Sequence, residues 1–322
     1  MRILLSSNHR YPALAKVGSG REPRQFPSGS GYLIHDLIAK GLAELGHEVL
    51  YLLRNGSDEP LPSGLTLVSE LAPADILHTV AYHDNDIIQE WNGRPWVTTC
   101  HLDLRTRGKQ RSPTTRNWIF VSRTLARLHD RDRYVLNGID PKDYVYSESK
   151  DDYLLFMSTM DWKLAKGLDV ALSLSKQTGI KLVIAGTGDT HESIERVVQM
   201  CREVDADYVG DVKGPVKARL LAGAKAFLFP TKIDEAFGLG MVEALMSGTP
   251  VICSDKGACP EIISPDVGFI CKDWEDYLDA VNRIGEISPV ACRNKAMNDY
   301  HYLRMARDYA QEYEKELTLG AG

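Results

Sequence analysis

The sequence predicts an α/β protein built from two doubly wound domains, each with a largely parallel sheet. In both halves of the chain, short apolar runs alternate with stretches of helical periodicity, which is typical of strands joined by crossover helices. The chain has 322 residues, more than one domain usually contains, so two domains are expected. Its apolar content of 43% and charged content of 25% are those of an ordinary soluble globular protein.

Charge and cysteine content limit the classes of partner and compartment. The net charge of −6 gives no overall indication of nucleic-acid binding. The six cysteines form no CxxC pair, and Cys100, Cys253 and Cys271 lie in apolar runs, which favours reduced thiols. The first apolar run is too short for a signal peptide, and no stretch is long enough to span a membrane. We therefore expect a cytoplasmic protein, either free or peripheral to the inner face of the membrane.

The clearest single pattern is a strand–loop–helix–strand unit in residues 226–255. Its first four residues predict a buried strand, a polar loop then carries Glu235, and Gly238 precedes a helix that bears Glu243. In open α/β sheets, ligands bind at the carboxyl ends of the strands, and the start of such a helix suits a pyrophosphate. A carboxylate such as Glu243 could then accept hydrogen bonds from both hydroxyls of a ribose.

The run EAFGLGMVE from Glu235 to Glu243 resembles the E-x7-E motif of retaining GT-B glycosyltransferases, and the ALMSGTPVI that follows is similar to glycosyltransferase family 4, group 1. The resemblance implies a GT-B fold, in which two Rossmann-like domains face an interdomain cleft. It also implies that Glu243 binds the nucleotide ribose and that Glu235 lies near the donor sugar and its phosphate. An ordinary βαβ crossover with solvated glutamates is the alternative. Donor contacts are expected along the intervening run, at Phe237, Gly238, Leu239, Gly240 and Met241.

The second half carries a further part of the resemblance, including a candidate diphosphate-binding lysine. Lys166 matches the family lysine that contacts the donor diphosphate, and a lysine at a helix start otherwise opposes the helix dipole. The arginine that usually accompanies it is absent, and Ser158 or Thr159 stands in its place. Lys163 could supply the second positive charge from the same loop.

Glycine-rich turns are the remaining candidates for donor contacts. Gly186 and Gly188 follow a predicted strand and suit close approach of the backbone to a nucleobase. In the first half, the loop that ends in Gly29, Ser30 and Gly31 resembles the opening of family 4 enzymes, where it faces the cleft near donor and acceptor. A flexible loop end is the alternative, and because the spacing is not GxGxxG, a dinucleotide fingerprint is not predicted.

His101 directly follows a predicted strand of the first half. In family 4 enzymes a histidine in this place often points at the donor sugar. A neutral imidazole can donate a hydrogen bond to a sugar hydroxyl or accept one from it. The alternative is a histidine in a surface loop.

A basic segment follows His101, with no acidic residue between positions 105 and 116. It could hold a phosphorylated acceptor or contact anionic lipid headgroups, or it could be only a solvated charge run. Its basic residues include Arg105, Arg107, Lys109 and Arg111.

Domain boundaries and metal binding complete the expectations. The LNGID run at residues 136–140 resembles the signature at which family 4 domains meet. We expect a first domain over residues 1–145, a nucleotide-sugar-binding domain over 146–300, and a C-terminal helix over 301–322 that crosses back to the first domain. The three D-x-D triplets are expected to cap or solvate helix and loop edges. We expect no metal, because GT-B enzymes generally need none for donor binding.

The predicted reaction is transfer of a sugar from a UDP- or GDP-sugar to an acceptor hydroxyl, on a glycan or glycolipid, with retained anomeric configuration. The predicted catalytic residues are Glu235, Lys166 and His101, and Lys166 would stabilise the departing diphosphate. The alternatives are a catalytically silent nucleotide-sugar binder, a protein that chiefly binds membranes or polyanions, and another GT-B enzyme such as a sugar phosphorylase or an epimerase.

Overall fold

The computed structural model describes residues 1–13, 30–80, 85–107, 115–159, 164–188 and 190–320. Contacts divide these residues into two compact units. The first unit contains residues 1–13, 300–320 and the described part of 30–139, and the second contains the described part of 140–299. The chain leaves the first unit after Ile139 and returns to it at Tyr300.

The strands of the described residues form one six-stranded sheet in each unit, in which neighbouring strands pair in parallel. Most of them are short apolar runs buried on both faces, as strands of parallel sheets are when helices cover them. The first unit holds β1 (Arg2–Ser7), β2 (Glu48–Leu53), β3 (Leu65–Val68), β4 (Ile76–Val80), β5 (Trp96–Cys100) and β6 (Trp118–Phe120). The second unit holds β7 (Tyr153–Met157), β8 (Lys181–Ala185), β9 (Asp207–Gly210), β10 (Ala226–Phe229), β11 (Val251–Ser254) and β12 (Gly268–Cys271).

Helices connect most of these strands and cover the sheets. Within the described residues they are α1 (Ser30–Glu44), α2 (Asn85–Glu90), α3 (Arg123–Leu128), α4 (Leu168–Thr178), α5 (His191–Glu203), α6 (Gly214–Gly223), α7 (Leu239–Met246), α8 (Cys259–Ile262), α9 (Trp274–Arg283), α10 (Pro289–Asp299) and α11 (Tyr302–Gly320). None of the helices in the described part of the chain combines the length and the apolar character that crossing a membrane requires.

The strand order in each sheet reverses beside its first strand. The orders are β3-β2-β1-β4-β5-β6 and β12-β11-β10-β7-β8-β9. The predicted α/β class, with two doubly wound parallel sheets, is therefore confirmed. The reversal leaves a crevice between the carboxyl ends of β1 and β4 in one sheet and of β7 and β10 in the other, and ligands bind in such crevices.

The segment of residues 140–150 packs on the second unit. The Tyr144 hydroxyl donates a hydrogen bond to Glu243, and the Lys150 ammonium donates hydrogen bonds to the carbonyl oxygens of Ala222 and Ser247, near the ends of α6 and α7. Cations at helix C-termini are favourable because they meet unpaired carbonyl oxygens. The unit boundary at Ile139 therefore lies before the expected position at residue 145.

The last helix, α11, packs against α1 within the first unit. The two helices approach closely at Gly41, where a Cβ atom would lie 2.6 Å from the Cβ of Ala306. Arg133 adds ion pairs to Glu312 at 2.5 Å and to Glu316 at 2.9 Å. These contacts tie residues 300–320 to the first sheet although they follow the second in sequence.

Candidate active site

The crevice between β7 and β10 brings together the loops that carry two of the predicted catalytic residues. β7 and β10 are neighbours in the sheet. The crossover through α4 leads from β7 to β8 on one side of this pair, and the crossover through α7 leads from β10 to β11 on the other side. Lys166 lies in the loop after β7, and Glu235 lies in the loop after β10. This is the position at which an open α/β sheet binds its ligand.

Lys166 and Glu235 form an ion pair in this crevice. Lys166 Nζ lies 2.6 Å from Glu235 Oε2, although the residues are 69 positions apart in sequence. Their side chains are 26% and 16% exposed, so both remain accessible to a ligand. Such a charge-assisted hydrogen bond fixes both groups and partly neutralises the carboxylate.

Backbone packing holds the two loops together. The Lys232 amide donates to the carbonyl oxygen of Ala165 at 2.8 Å. Gly167 has φ +80°, and a Cβ atom there would lie 1.9 Å from the carbonyl oxygen of Pro230. No other residue fits this position without moving the loop, because the left-handed conformation and the contact both exclude a side chain. The position of Lys166 therefore depends on Gly167.

The N-terminus of α7, at Leu239, lies four residues beyond Glu235, and its first two backbone N–H groups have no partner within the helix. Gly238 precedes it with φ +91°, and no side chain caps the helix. The first turn contains no acidic residue. Phe237 and Met241 are buried, whereas Leu239 and Gly240 are only half-buried. The geometry suits an anion at this helix end, because the N–H groups and the helix dipole both favour negative charge.

Glu243 lies on the second turn of α7 and is 6% exposed. Its Oε1 atom accepts hydrogen bonds from the Tyr144 hydroxyl at 2.9 Å and from Lys217 Nζ at 2.7 Å. Burial and the adjacent carboxylate raise the pKa of Tyr144 well above its usual value, so the phenol keeps its proton. The sequence pattern indicated Glu243 but not these two partners, which lie 99 and 26 residues away in the chain.

The turn after β8 belongs to the same edge, since β8 pairs with β7. Gly186 has φ +131°, and its amide donates to the carbonyl oxygen of Gly210 at 2.8 Å. Gly188 is buried, and Thr159 at the end of β7 is half-buried. Lys163, the candidate second cation, lies outside the described residues.

In the first unit, His101 follows β5 and packs against Gly31 of α1. A Cβ atom at Gly31 would lie 2.9 Å from His101 Cδ2, so glycine makes room for the ring. His101 Nε2 is buried and has no hydrogen-bond partner among the described residues. Burial lowers the pKa of His101 to about 4, so the ring is neutral at pH 7. Ser30 begins α1, and Gly29 lies outside the described residues.

The basic segment is described only in part. Arg105 pairs with Asp103 at 2.7 Å, so an acid two residues upstream neutralises it. The backbone of Arg107 ends a short 3-10 turn, Leu104–Arg107. Lys109, Arg111 and the side chain of Arg107 lie outside the described residues. Within the ranges that the structure describes, no group of three or more His, Cys, Asp or Glu side chains is arranged to hold a metal ion.

Comparisons with known proteins give a family match for the second unit. Residues 144–300 match the family model of the glycosyl transferases group 1. The phosphatidyl-myo-inositol mannosyltransferase of Mycobacterium tuberculosis is 25% identical over 208 residues, which are 58% of this chain and 54% of that protein. In the first curated relatives, the matched segments span 39% to 54% of the relative's own length.

Solved structures resemble the whole chain in fold. AviGT4, a glycosyltransferase involved in avilamycin A biosynthesis, has a TM-score of 0.78 and 22% identity, covering 98% of each chain. HepE of Anabaena in complex with UDP has a TM-score of 0.71 and 15% identity, covering 98% of this chain and 100% of that chain. At these identities the likeness shows the fold, which is that of GT-B glycosyltransferases.

Proposed function

We propose, from the match of residues 144–300 to the group 1 glycosyltransferases, that this chain is a retaining family 4 glycosyltransferase. It transfers a hexosyl group from a nucleoside diphosphate sugar to an acceptor hydroxyl. The observation that carries the proposal is the Lys166–Glu235 pair at 2.6 Å in the crevice between β7 and β10. The uncapped N-terminus of α7 and the buried Glu243 lie along the same run of sequence.

The diphosphate is proposed to bind at the start of α7, where Lys166 can reach it. The bond from the anomeric carbon to the diphosphate oxygen breaks, and its electron pair stays on the diphosphate. Lys166 and the N–H groups of α7 stabilise that developing charge. The acceptor oxygen forms the new bond to the anomeric carbon, and its proton passes to the departing diphosphate oxygen.

Glu235 is proposed to orient the donor sugar rather than attack it. Its charge is already offset by Lys166, which makes the carboxylate a weak nucleophile but a good acceptor for sugar hydroxyls. His101 is proposed to contact the donor sugar, with Ser30 and Gly31 beside it in the first unit. The support is its neutral ring and the unpartnered Nε2 atom.

The donor is proposed to be a UDP- or GDP-sugar. HepE, a structural neighbour, binds UDP, and a curated relative transfers mannose to a phosphatidyl-myo-inositol. Glu243 would hold the ribose, and the turn with Gly186 and Gly188 would lie near the base. The acceptor is proposed to be a glycan or glycolipid. The basic segment that begins at Arg105 would contact its anionic groups or the membrane.

We further propose that donor binding needs no metal and that the protein is cytoplasmic. Lys166 and the α7 N-terminus supply positive charge that a metal supplies elsewhere. All six cysteines are free and buried, which suits a reducing compartment. Donor affinity that is unchanged by EDTA would agree with the first part, whereas affinity restored only by Mg²⁺ or Mn²⁺ would contradict it.

The test is thermal stability against UDP, GDP and their sugars, in wild type and Glu243→Ala. A ligand at 100 times its dissociation constant should stabilise the binding unit by about 2.7 kcal/mol. We expect one base class to stabilise wild type but not the variant, after which acceptors are screened for nucleotide release and the product anomer is assigned by NMR. The proposal fails if no nucleotide binds at millimolar concentration.

A catalytically silent nucleotide-sugar binder is the second candidate. One observation favours it: no arginine follows β7, where Ser158 and Thr159 stand instead. This candidate predicts that donor sugars bind as tightly as in an active enzyme. It also predicts neither hydrolysis nor transfer with any acceptor.

A further inference from the structure

The Glu243 carboxylate is held through only one of its two oxygens. Tyr144 and Lys217 both donate to Oε1, at 2.9 and 2.7 Å. No described residue donates to Oε2. Only 8% of the Glu243 side chain is exposed, so the protein surrounds this carboxylate without using its second oxygen. Buried carboxylates normally use both oxygens, so the second oxygen of Glu243 is available to a ligand.

The two donors come from separate elements and restrain the carboxylate jointly. Tyr144 belongs to the segment of residues 140–150, and Lys217 lies on α6, whereas Glu243 lies on α7. The last torsion of a glutamate is broad, so an unrestrained carboxylate holds neither oxygen in a fixed direction. Two donors that converge on Oε1 remove this freedom.

We propose that Tyr144 and Lys217 are positioning residues that lock Glu243 Oε1 and present Oε2 to the hydroxyls of a ribose. The site thereby selects ribonucleoside diphosphates over their 2′-deoxy counterparts. One carboxylate oxygen can accept two hydrogen bonds, which matches the paired 2′- and 3′-hydroxyls. The inference rests on the proposed function, because it assumes a nucleoside diphosphate at α7.

The experiment is isothermal titration calorimetry of the full chain with UDP, GDP, 2′-deoxy-UDP and 2′-deoxy-GDP. The variants are Tyr144→Phe, Lys217→Met and Lys217→Arg. The matched control is Tyr153→Phe, which removes a hydroxyl that donates to the Leu220 carbonyl oxygen at 2.7 Å, away from Glu243. Calorimetric unfolding of each variant shows that it folds.

Wild type should bind the preferred ribonucleotide about tenfold or more tightly than its 2′-deoxy analogue, because a hydrogen bond to a charged group is lost. The ratio should fall below about threefold in Tyr144→Phe and Lys217→Met, since a single remaining donor no longer fixes the orientation of the Glu243 carboxylate. Lys217→Arg should restore most of it, and Tyr153→Phe should keep it. If Tyr144→Phe does not fold, the comparison of Lys217→Met with Lys217→Arg still tests the proposal.

Three results would overturn the inference in different ways. If the variants weaken ribose and deoxyribose ligands equally, Tyr144 and Lys217 are only structural. If wild type does not distinguish the sugars, Glu243 does not contact the 2′-hydroxyl, while the glycosyltransferase proposal stands. If wild type binds neither UDP nor GDP, the proposed function itself fails.

Discussion

In each unit, a buried carboxylate lies on the helix that follows one of the strands bordering the crevice. The two carboxylates differ in the hydrogen bonds that they accept. Asp36 on α1 is 7% exposed, and Glu243 on α7 is 6% exposed. Asp36 Oδ1 accepts from His9 at 2.9 Å and from Tyr51 at 2.6 Å, and its Oδ2 accepts from the Ala13 amide at 2.8 Å. Both oxygens of Asp36 are thus engaged, whereas no described residue donates to the second oxygen of Glu243.

The comparison teaches that two carboxylates of similar burial can differ in how many of their oxygens the fold engages. Asp36 ties the start of the loop after β1 to α1 through His9 and Ala13. A carboxylate with every oxygen satisfied lowers the energy of the fold, and its loss leaves buried donors unpaired. A carboxylate with one oxygen unengaged carries a desolvation cost that a ligand can repay.

The largest expected effect is on turnover in Lys166→Met. Removal of a charge that stabilises the departing diphosphate should lower kcat by 10² to 10³, about 3 to 4 kcal/mol. Stability should change by about 1 kcal/mol or less, because the Lys166–Glu235 pair remains partly exposed. Initial rates of nucleotide release measure the effect. Lys232→Met, which breaks the exposed pair to Asp169, is the control and should change kcat less than about threefold.

The next largest effect is on folding in Asp36→Ala. The variant leaves the Tyr51 hydroxyl, the His9 ring and the Ala13 amide without their acceptor. The free energy of unfolding of the first unit should fall by about 3 kcal/mol. Glu243→Ala should cost about 2 kcal/mol of stability, because two hydrogen bonds rather than three are lost, and should also remove nucleotide binding. Urea denaturation followed by tryptophan fluorescence measures the free energy of unfolding of both variants. Equal losses in Asp36→Ala and Glu243→Ala would contradict the difference between the two carboxylates.

Acid sensitivity of the first unit is the third prediction. Burial lowers the pKa of His78 to about 3 and that of His101 to about 4, from an ordinary 6.5. Below pH 6.5 the unfolded chain takes up protons that these folded-state histidines do not, so stability that is complete above pH 6.5 falls as the pH drops toward 4. Each histidine contributes up to about 1.4 kcal/mol per pH unit.

Unfolding in urea at pH 7, 5.5 and 4.5 would measure this slope. The control is His101→Gln, which cannot be protonated and should make the slope shallower. A stability that does not change between pH 7 and 4.5 would contradict the prediction, because it would mean that folding lowers the pKa of neither histidine.

The smallest effect is expected from Tyr51→Phe, which removes one of the three donors to Asp36. Stability should fall by about 1.5 kcal/mol, the net value of a hydrogen bond to a charged group. The preference for ribose should not change, in contrast to Tyr144→Phe. A changed preference for ribose would indicate that Asp36 also affects nucleotide binding. The two carboxylates would then not differ in function as proposed.

Much of the fold and part of the site are predictable from local sequence. The alternation of apolar runs and helical periodicity predicts the doubly wound sheets, because each strand and helix must bury its own apolar face. The E-x7-E run places Glu235 before α7 and Glu243 on it, since the spacing fixes both relative to one helix start. Sequence also indicates Lys166, which lies next to the N-cap of α4.

The contacts that complete the site were decided by tertiary structure. The pairing of Lys166 with Glu235 requires β7 and β10 to be neighbours, and the sheet order sets this rather than any local pattern. Gly167 is required because Pro230, 63 positions later, occupies the space of a side chain. Tyr144 and Lys217 converge on one oxygen of Glu243 because separate elements pack at that point. The sequence by itself indicated which residues are candidates for the chemistry, and only the packing of distant segments decided which of their atoms the fold engages.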